Sequence, residues 1–318
     1  MTEAIGGYFS LELRSGGHYH KNAIRLNTAR NGFEYVLRAK AYTKVYIPYY
    51  TCHVMLEPIK KLNIDFEFYP IGFDLEPTYQ VSLEEGAAFL YTNYFGIKQK
   101  CVQKLATQYG DRLIVDNAQA FYAKPLKGVD TLYSARKFFG VADGAYLYTD
   151  ARIDDEFEQD QSFERMSHLL KRADIGAEFG YHDFKENDGS LDNNPIRRMS
   201  NLTEQVLCSV DYNSCRQKRL DNFNYLHKCL KGSNKLHFEL SDEDVPMVYP
   251  YLFDDENLRE KLINNRVFVA KYWPNVLSKL GFENEFELAE KLLTLPIDQR
   301  CGVEDIIRII EIINNDKI

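Results

Sequence analysis

The stretch Ile114–Asp150 gathers the residue types that an enzyme uses. Asp116 ends a short apolar run, Leu113-Ile114-Val115, and Gln119 follows three residues later in Asp116-Asn117-Ala118-Gln119-Ala120. Next come Tyr133-Ser134-Ala135-Arg136-Lys137, then Phe138-Phe139-Gly140 and Asp143-Gly144. A carboxylate, an amine and small polar groups on successive strand-end loops meet the needs of one cofactor, pyridoxal phosphate (PLP). Its aldehyde takes an amine as a Schiff base, its pyridine nitrogen needs a carboxylate to stay protonated, and its phosphate needs donors. Each residue alone has a plainer reading, since a strand-end Asp often caps a turn and a lone Lys is ordinarily a solvated charge. Order and spacing together carry the argument.

These residues need a frame. From Lys44 to Thr149, β-type runs alternate with helical stretches: strands at Val45–Pro48, Asp65–Tyr69, Ala87–Tyr91, Leu113–Val115 and Gly144–Thr149, helices at His53–Leu62 and Lys100–Tyr109. That alternation predicts βαβ crossovers and a mainly parallel sheet, whose ligands gather at the carboxyl ends of the strands. Residues 152–230 read as long helical stretches around a loop at His182–Pro195, which is rich in Asn, Asp and Gly. The remainder reads as a smaller α+β unit, with strands at Pro246–Tyr249 and Arg266–Val269, a helix at Glu256–Asn264 and a terminal helix at Val303–Ile313. The isoleucine stripe of that helix predicts core packing. The expected division is 1–230 for a large α/β domain and 231–318 for a small C-terminal α+β domain.

Composition excludes several classes. The 318 residues carry 39 Lys+Arg against 47 Asp+Glu, a net charge of −8, which argues against a nucleic-acid partner. Hydrophobic residues at 45% and charged residues at 27% are ordinary for a globular protein and exclude a disordered or collagenous chain. No run approaches the roughly 20 apolar residues of a membrane span, and Met1–Gly17 lacks the order of a signal peptide, so a cytoplasmic protein is expected. The six cysteines form no Cys-x-x-Cys pair and the seven histidines no His-x-x-x-His, so neither a metal site nor a disulfide framework is expected.

The same residues resemble a known family. Asp116-Asn117-Ala118-Gln119-Ala120 is similar to the Asp-x-Ala-Gln signature of the sugar-nucleotide aminotransferases, the DegT/StrS group of fold-type I PLP enzymes, and Ser134 to Gly144 resembles their lysine segment. Ile47-Pro48-Tyr49-Tyr50-Thr51-Cys52 is similar to the family's Pro-x-x-Thr stretch. Ile5–Phe9 with Leu26–Asn31 resembles the entry segment of its shorter members and Leu295–Asp298 is similar to a family segment near the end, so that the likeness spans about Ile5 to Ile313. The resemblance implies a PLP-dependent aminotransferase of polysaccharide biosynthesis, a homodimer with shared active sites, using an amino-acid donor and a keto-sugar nucleotide acceptor. It implies Lys137 as the Schiff-base lysine and proton carrier, Asp116 as partner of the pyridine nitrogen and Gln119 as donor to the ring's phenolic oxygen. Thr28, Ala29, Arg30 and Ser134 would meet the phosphate. Cys52 stands where many members have an aromatic residue over the ring, with Tyr50 and His53 as neighbours able to replace it.

Two departures bear on function. Thr28-Ala29-Arg30 replaces the family's usual Ser-Gly-Thr, and Ile196-Arg197-Arg198-Met199 stands for an Asn-x-Arg-Met loop that reaches the partner subunit's phosphate, leaving Asn193, Asn194 or Arg197 as substitutes. Two other readings remain beside transamination. One is PLP chemistry without net amino transfer, against whose dehydratase form Lys137 argues; the other is a non-catalytic paralogue that binds a sugar nucleotide or a regulatory partner.

Overall fold

A computed structural model of the chain describes residues 5–314; the outermost residues of the two expected domains, 1–4 and 315–318, lie outside the described residues. Seven strands form one sheet: β1 (Ile24–Leu26), β2 (Lys44–Pro48), β3 (Asp65–Tyr69), β4 (Ala87–Thr92), β5 (Leu113–Asn117), β6 (Asp130–Ser134) and β7 (Ala145–Tyr148). Their spatial order is β1-β7-β6-β5-β4-β2-β3. The pairs from β3 through β6 are parallel, and β7 runs antiparallel to both β6 and β1. The fold is therefore α/β with a mainly parallel sheet. β1 and β6 carry no expectation from sequence; they flank β7 in the sheet, and β6 leads into the turn that carries the lysine.

Burial of both faces explains the strand compositions. Along β4, Phe89 and Tyr91 join one apolar cluster and Ala88 and Leu90 the other, as the two-residue period of a strand requires. Helices α1 (Ala29–Ala39) and α2 (Leu56–Lys61) cover the Leu90 face through Phe33, Val36, Leu37 and Ile59. Helix α3 (Gln99–Tyr109) covers the other through Cys101, Val102 and Leu105. Gly32 lets α1 lie close, because a Cβ there would come within 3.3 Å of Leu132 Cδ2 on the sheet.

Beyond the sheet come α4 (Ser167–Asp174), α5 (Tyr181–Ser190), α6 (Asn201–Cys208) and α7 (Tyr212–Leu230). Residues 152–166, expected to be helical, hold only a 3-10 turn at Phe163–Arg165; Ile153 and Phe157 instead pack on the α1 face of the sheet. Conversely, the expected loop at His182–Pro195 contains most of α5. Its turn-forming composition is overridden by tertiary bonds: Asn187 donates from Nδ2 to the Ala142 carbonyl at 3.0 Å, and Asp183 pairs with Lys171 at 2.7 Å.

The C-terminal part holds β8 (Val248–Leu252), α8 (Leu258–Asn264), α9 (Glu283–Lys291), β9 (Leu292–Pro296) and α10 (Val303–Asn314), with β8 and β9 antiparallel. The first strand starts two residues later than expected. Arg266–Val269 is not a strand: Arg266 has φ +58, and the Val267 amide caps α8 by donating to the Leu262 carbonyl at 2.8 Å. The isoleucine stripe of α10 is core, packed with Leu258 and Leu262 of α8. That core also takes Phe223, Leu226 and Leu230 from α7, whose last turn adjoins residue 231. Among the described residues, no helix is long and apolar enough to cross a membrane, and no group of His, Cys, Asp or Glu is placed to hold a metal ion. All six cysteines are free.

Candidate active site

Asp116, Ser134 and Lys137 meet at the carboxyl edge of the sheet, because β5 and β6 are parallel neighbours that end together. Asp116 is buried; its Oδ1 accepts the Ala118 amide at 2.8 Å. Burial pushes its pKa above the usual carboxylate value, while the positive charge of Lys137 and the Ala118 amide pull it back. Lys137 ends a 3-10 turn after β6, is exposed, and makes no hydrogen bond or ion pair among the described residues. Its Nζ lies 5.7 Å from the centroid of the Tyr272 ring. An unpaired amine coupled to a buried carboxylate is the minimal apparatus for carbonyl chemistry.

Gln119 is placed by the turn after β5. Its Oε1 accepts the Phe95 amide at 2.9 Å, while its Nε2 is buried without a partner. Phe95 and Gly96 both have positive φ in the turn that ends β4, and a Cβ at Gly96 would come within 2.7 Å of the Val245 carbonyl. The turn is therefore pressed directly against the C-terminal part.

Helix α1 opens at the same edge. Thr28 is its N-cap, with extended backbone and an Oγ1 that accepts the Asn31 amide at 3.2 Å. The amides of Ala29 and Arg30, first and second in the helix, form no hydrogen bond with the described residues and face outward along the helix axis. Gly144, with φ +115, ties this start to the lysine turn: its amide donates to the Asn27 carbonyl at 2.6 Å, and its carbonyl accepts the Ala135 amide at 3.0 Å. Ser134, on β6, pairs with Ala145 beside it. The Arg30 guanidinium is engaged elsewhere, bonded to Glu57 at 2.7 Å and Asp192 at 2.6 Å.

Other candidates sit differently. Cys52 is half-buried and close enough to Tyr272 to influence its ionisation, whereas the His53 ring is exposed and unbonded among the described residues. Tyr50 is fully buried, its ring 4.4 Å from that of Trp273 and stacked on Tyr94 at 5.7 Å. The segment Asn194–Met199 is bound to its own chain: Asn27 donates to the Pro195 carbonyl, and the Asn27 and Met199 amides bond to the Arg197 and Arg25 carbonyls. Ile196 is buried against the α1 face of the sheet.

Sequence reasoning missed two residues here. Tyr272, whose phenol burial pushes up to about 12, arrives from the segment before α9 and sets its ring beneath the Lys137 amine. Arg219 of α7, 1% exposed, lies 4.5 Å from the centroid of the Phe138 ring, next to the lysine. The Tyr272-Trp273-Pro274 run was a usable signal; a lone Arg within a polar helix was not.

No family sequence model and no curated protein matches the chain. Solved structures do match its fold. A DegT/DnrJ/EryC1/StrS aminotransferase from Brucella abortus superposes over 92% of this chain and 85% of its own, with TM-score 0.62 at 15% identity. A Streptococcus pneumoniae protein assigned as a sugar aminotransferase, solved in its PMP form, gives 0.67 at 16% identity over 92% and 87%. The sugar aminotransferase CalS13 from Micromonospora echinospora gives 0.61 at 13% identity over 92% and 87%. The chain has the fold of these aminotransferases.

Proposed function

We propose that the chain is a PLP-dependent aminotransferase that moves an amino group from an amino-acid donor, glutamate being the expected one, to a keto-sugar nucleotide. The observation that carries this reading is the unpaired Lys137 amine coupled to buried Asp116, with Gln119 Nε2, three residues past Asp116, buried without a partner among the described residues. A buried amide donor left unbonded costs stability unless a ligand accepts from it, so the residues present fit the group. The shared fold of solved aminotransferases supports the same reading.

Bound there, PLP supplies an electron sink that makes a substrate Cα–H acidic. Lys137 Nζ would hold the cofactor through its aldehyde carbon and, when free, would carry the proton between the substrate carbon and the cofactor. Asp116 would partner the ring nitrogen, where a cation would hold the carboxylate ionised against its burial. Gln119 Nε2, buried without a partner among the described residues, would donate to the ring oxygen. The free amides of Ala29 and Arg30, at a helix start, and the Ser134 hydroxyl would bind the phosphate. The reading includes a cytoplasmic homodimer organised as 1–230 and 231–318.

Its test is an absorbance scan with added PLP before and after borohydride reduction, then mass spectrometry of the Lys137 peptide. A reduced PLP adduct on Lys137, lost in Lys137→Ala, is expected along with a visible band. Absence of the adduct at saturating PLP overturns the proposal.

A further inference from the structure

Asp143 is fully buried one residue before Gly144, and its carboxylate accepts from three donors at the start of α6. Oδ2 takes the Ser200 amide at 2.8 Å, while Oδ1 takes the Ser200 hydroxyl at 2.6 Å and the Thr203 hydroxyl. Because the single hydrogen of Ser200 Oγ goes to Asp143, Ser162 is the donor in the 2.7 Å bond between the two serine hydroxyls. The Ser200 oxygen also caps α6 by accepting the Thr203 amide at 3.3 Å. The helix thus has its cap without Asp143. Among the described residues no cation is paired with this carboxylate, so neutral donors and the positive end of α6 alone offset its burial. A buried carboxylate that neither caps a helix nor joins an ion pair needs another reason to be there.

The adjoining residue supplies it. Gly144 joins the two halves of the site: its amide holds the Asn27 carbonyl ahead of α1, and its carbonyl holds the Ala135 amide in the lysine turn. The start of α6 presses on that joint, since a Cβ at Gly144 would come within 2.9 Å of the Thr203 methyl and 3.5 Å of the Met199 methyl. Glycine leaves the chain free to turn there, at φ +115, and three bonds to the preceding side chain take that freedom away. We infer that Asp143 is a positioning residue that braces Gly144, fixing the free amides that open α1 relative to the Lys137 amine, so that an aldehyde carrying a phosphate is captured in preference to one without. The preference for the phosphate-bearing aldehyde rests on the proposed function; the bracing of the turn does not.

Two measurements on the purified full chain test this. Amide hydrogen exchange without added ligand reads the brace: the peptide containing Ala135 and Gly144 should exchange about tenfold faster in Asp143→Asn and about threefold faster in Thr203→Val, which keeps the shape of Thr203 and loses its hydroxyl. Borohydride trapping on Lys137 with PLP and, separately, with pyridoxal reads the role. Wild type should trap PLP preferentially, and the two variants should lose about tenfold and threefold of that preference through PLP alone. Ile309→Val, which thins the C-terminal core away from the turn, should leave the preference unchanged. If Asp143→Asn does not fold, Thr203→Val carries both measurements. Unchanged exchange in the variants overturns the brace, and raised exchange with an undiminished preference overturns its role in capture. If wild type traps neither aldehyde, the PLP reading fails, and raised exchange in the variants still upholds Asp143 as the brace of the turn.

Discussion

An exposed lysine has many rotamers, and the Tyr272 ring beneath Nζ limits them. A cation–π contact of this kind contributes roughly 0.5–1 kcal/mol. Tyr272→Leu should therefore slow PLP capture by Lys137 about threefold, read from growth of the visible band, whereas Tyr272→Phe keeps the ring and the wild-type rate. Equal rates for the Leu and Phe variants would remove Tyr272 from the site. His20 sets a pH dependence. It is 2% exposed; its Nε2 donates to the Phe121 carbonyl at 2.8 Å, and burial holds its pKa down to about 4 from 6.5. The unfolded chain then binds the extra proton between pH 6.5 and 4, so stability falls as pH falls through that window, by roughly 3 kcal/mol in total. Asp298, which Arg300 holds down to about 2 against its burial, adds a loss only between 3.8 and 2. Buried Asp116 and Asp130, both raised, act in the opposite sense. Urea denaturation of wild type and His20→Gln at pH 7, 5 and 4 isolates the term: the variant should show the shallower slope. At this scale Asp116, Gln119 and Lys137 were legible because they lie within 22 residues of chain. Tyr272 and Arg219 join them only through folding, and nothing in a helix's polar pattern separates a buried arginine from a solvated one.

The elements hold the site through backbone contacts that tolerate no added atoms. Gly144 sits at φ +115, and a Cβ there would come within 2.9 Å of the Thr203 methyl, itself fully buried. Gly144→Ala should cost about 2 kcal/mol or more in chemical denaturation, and should weaken PLP capture as well, since Gly144 links α1 to the lysine turn. Gly128→Ala, also at positive φ but with nothing within 4 Å, should cost less and leave capture unchanged. The parallel strands were readable because both faces are buried and their apolar runs are continuous. β6 was not, because Asp130-Thr131-Leu132-Tyr133-Ser134 has the polarity of a loop: its Asp130 is buried against Lys40, at 2.7 Å, which no local pattern reveals. The same cause hid α5, whose turn-forming residues are held helical by bonds to α4 and to the Ala142 carbonyl.

At the scale of the molecule, the N-terminal segment leaves Tyr8 at 99% and Phe9 at 93% exposure, well above what an isolated chain ordinarily presents. With the homodimer of the proposed function, sedimentation should give twice the 37.0 kDa chain mass, and a monomer at micromolar concentration would count against that reading. The overall architecture was legible from alternation alone, while the boundary between its parts is blurred because α7 contributes to the C-terminal core. The pairing of β1 with β7 has a consequence for how the protein is made. Ile24 pairs with Leu147, so β1, the strand just before the helix that opens at Ala29, has no pairing partner in the sheet until more than 120 further residues have left the ribosome. β1 is thus seated after strands that follow it in the chain, through a contact of high sequence separation, the kind that forms slowly. A nascent chain halted before residue 145 would carry Asp116 and Lys137 in full and still leave β1 unpaired.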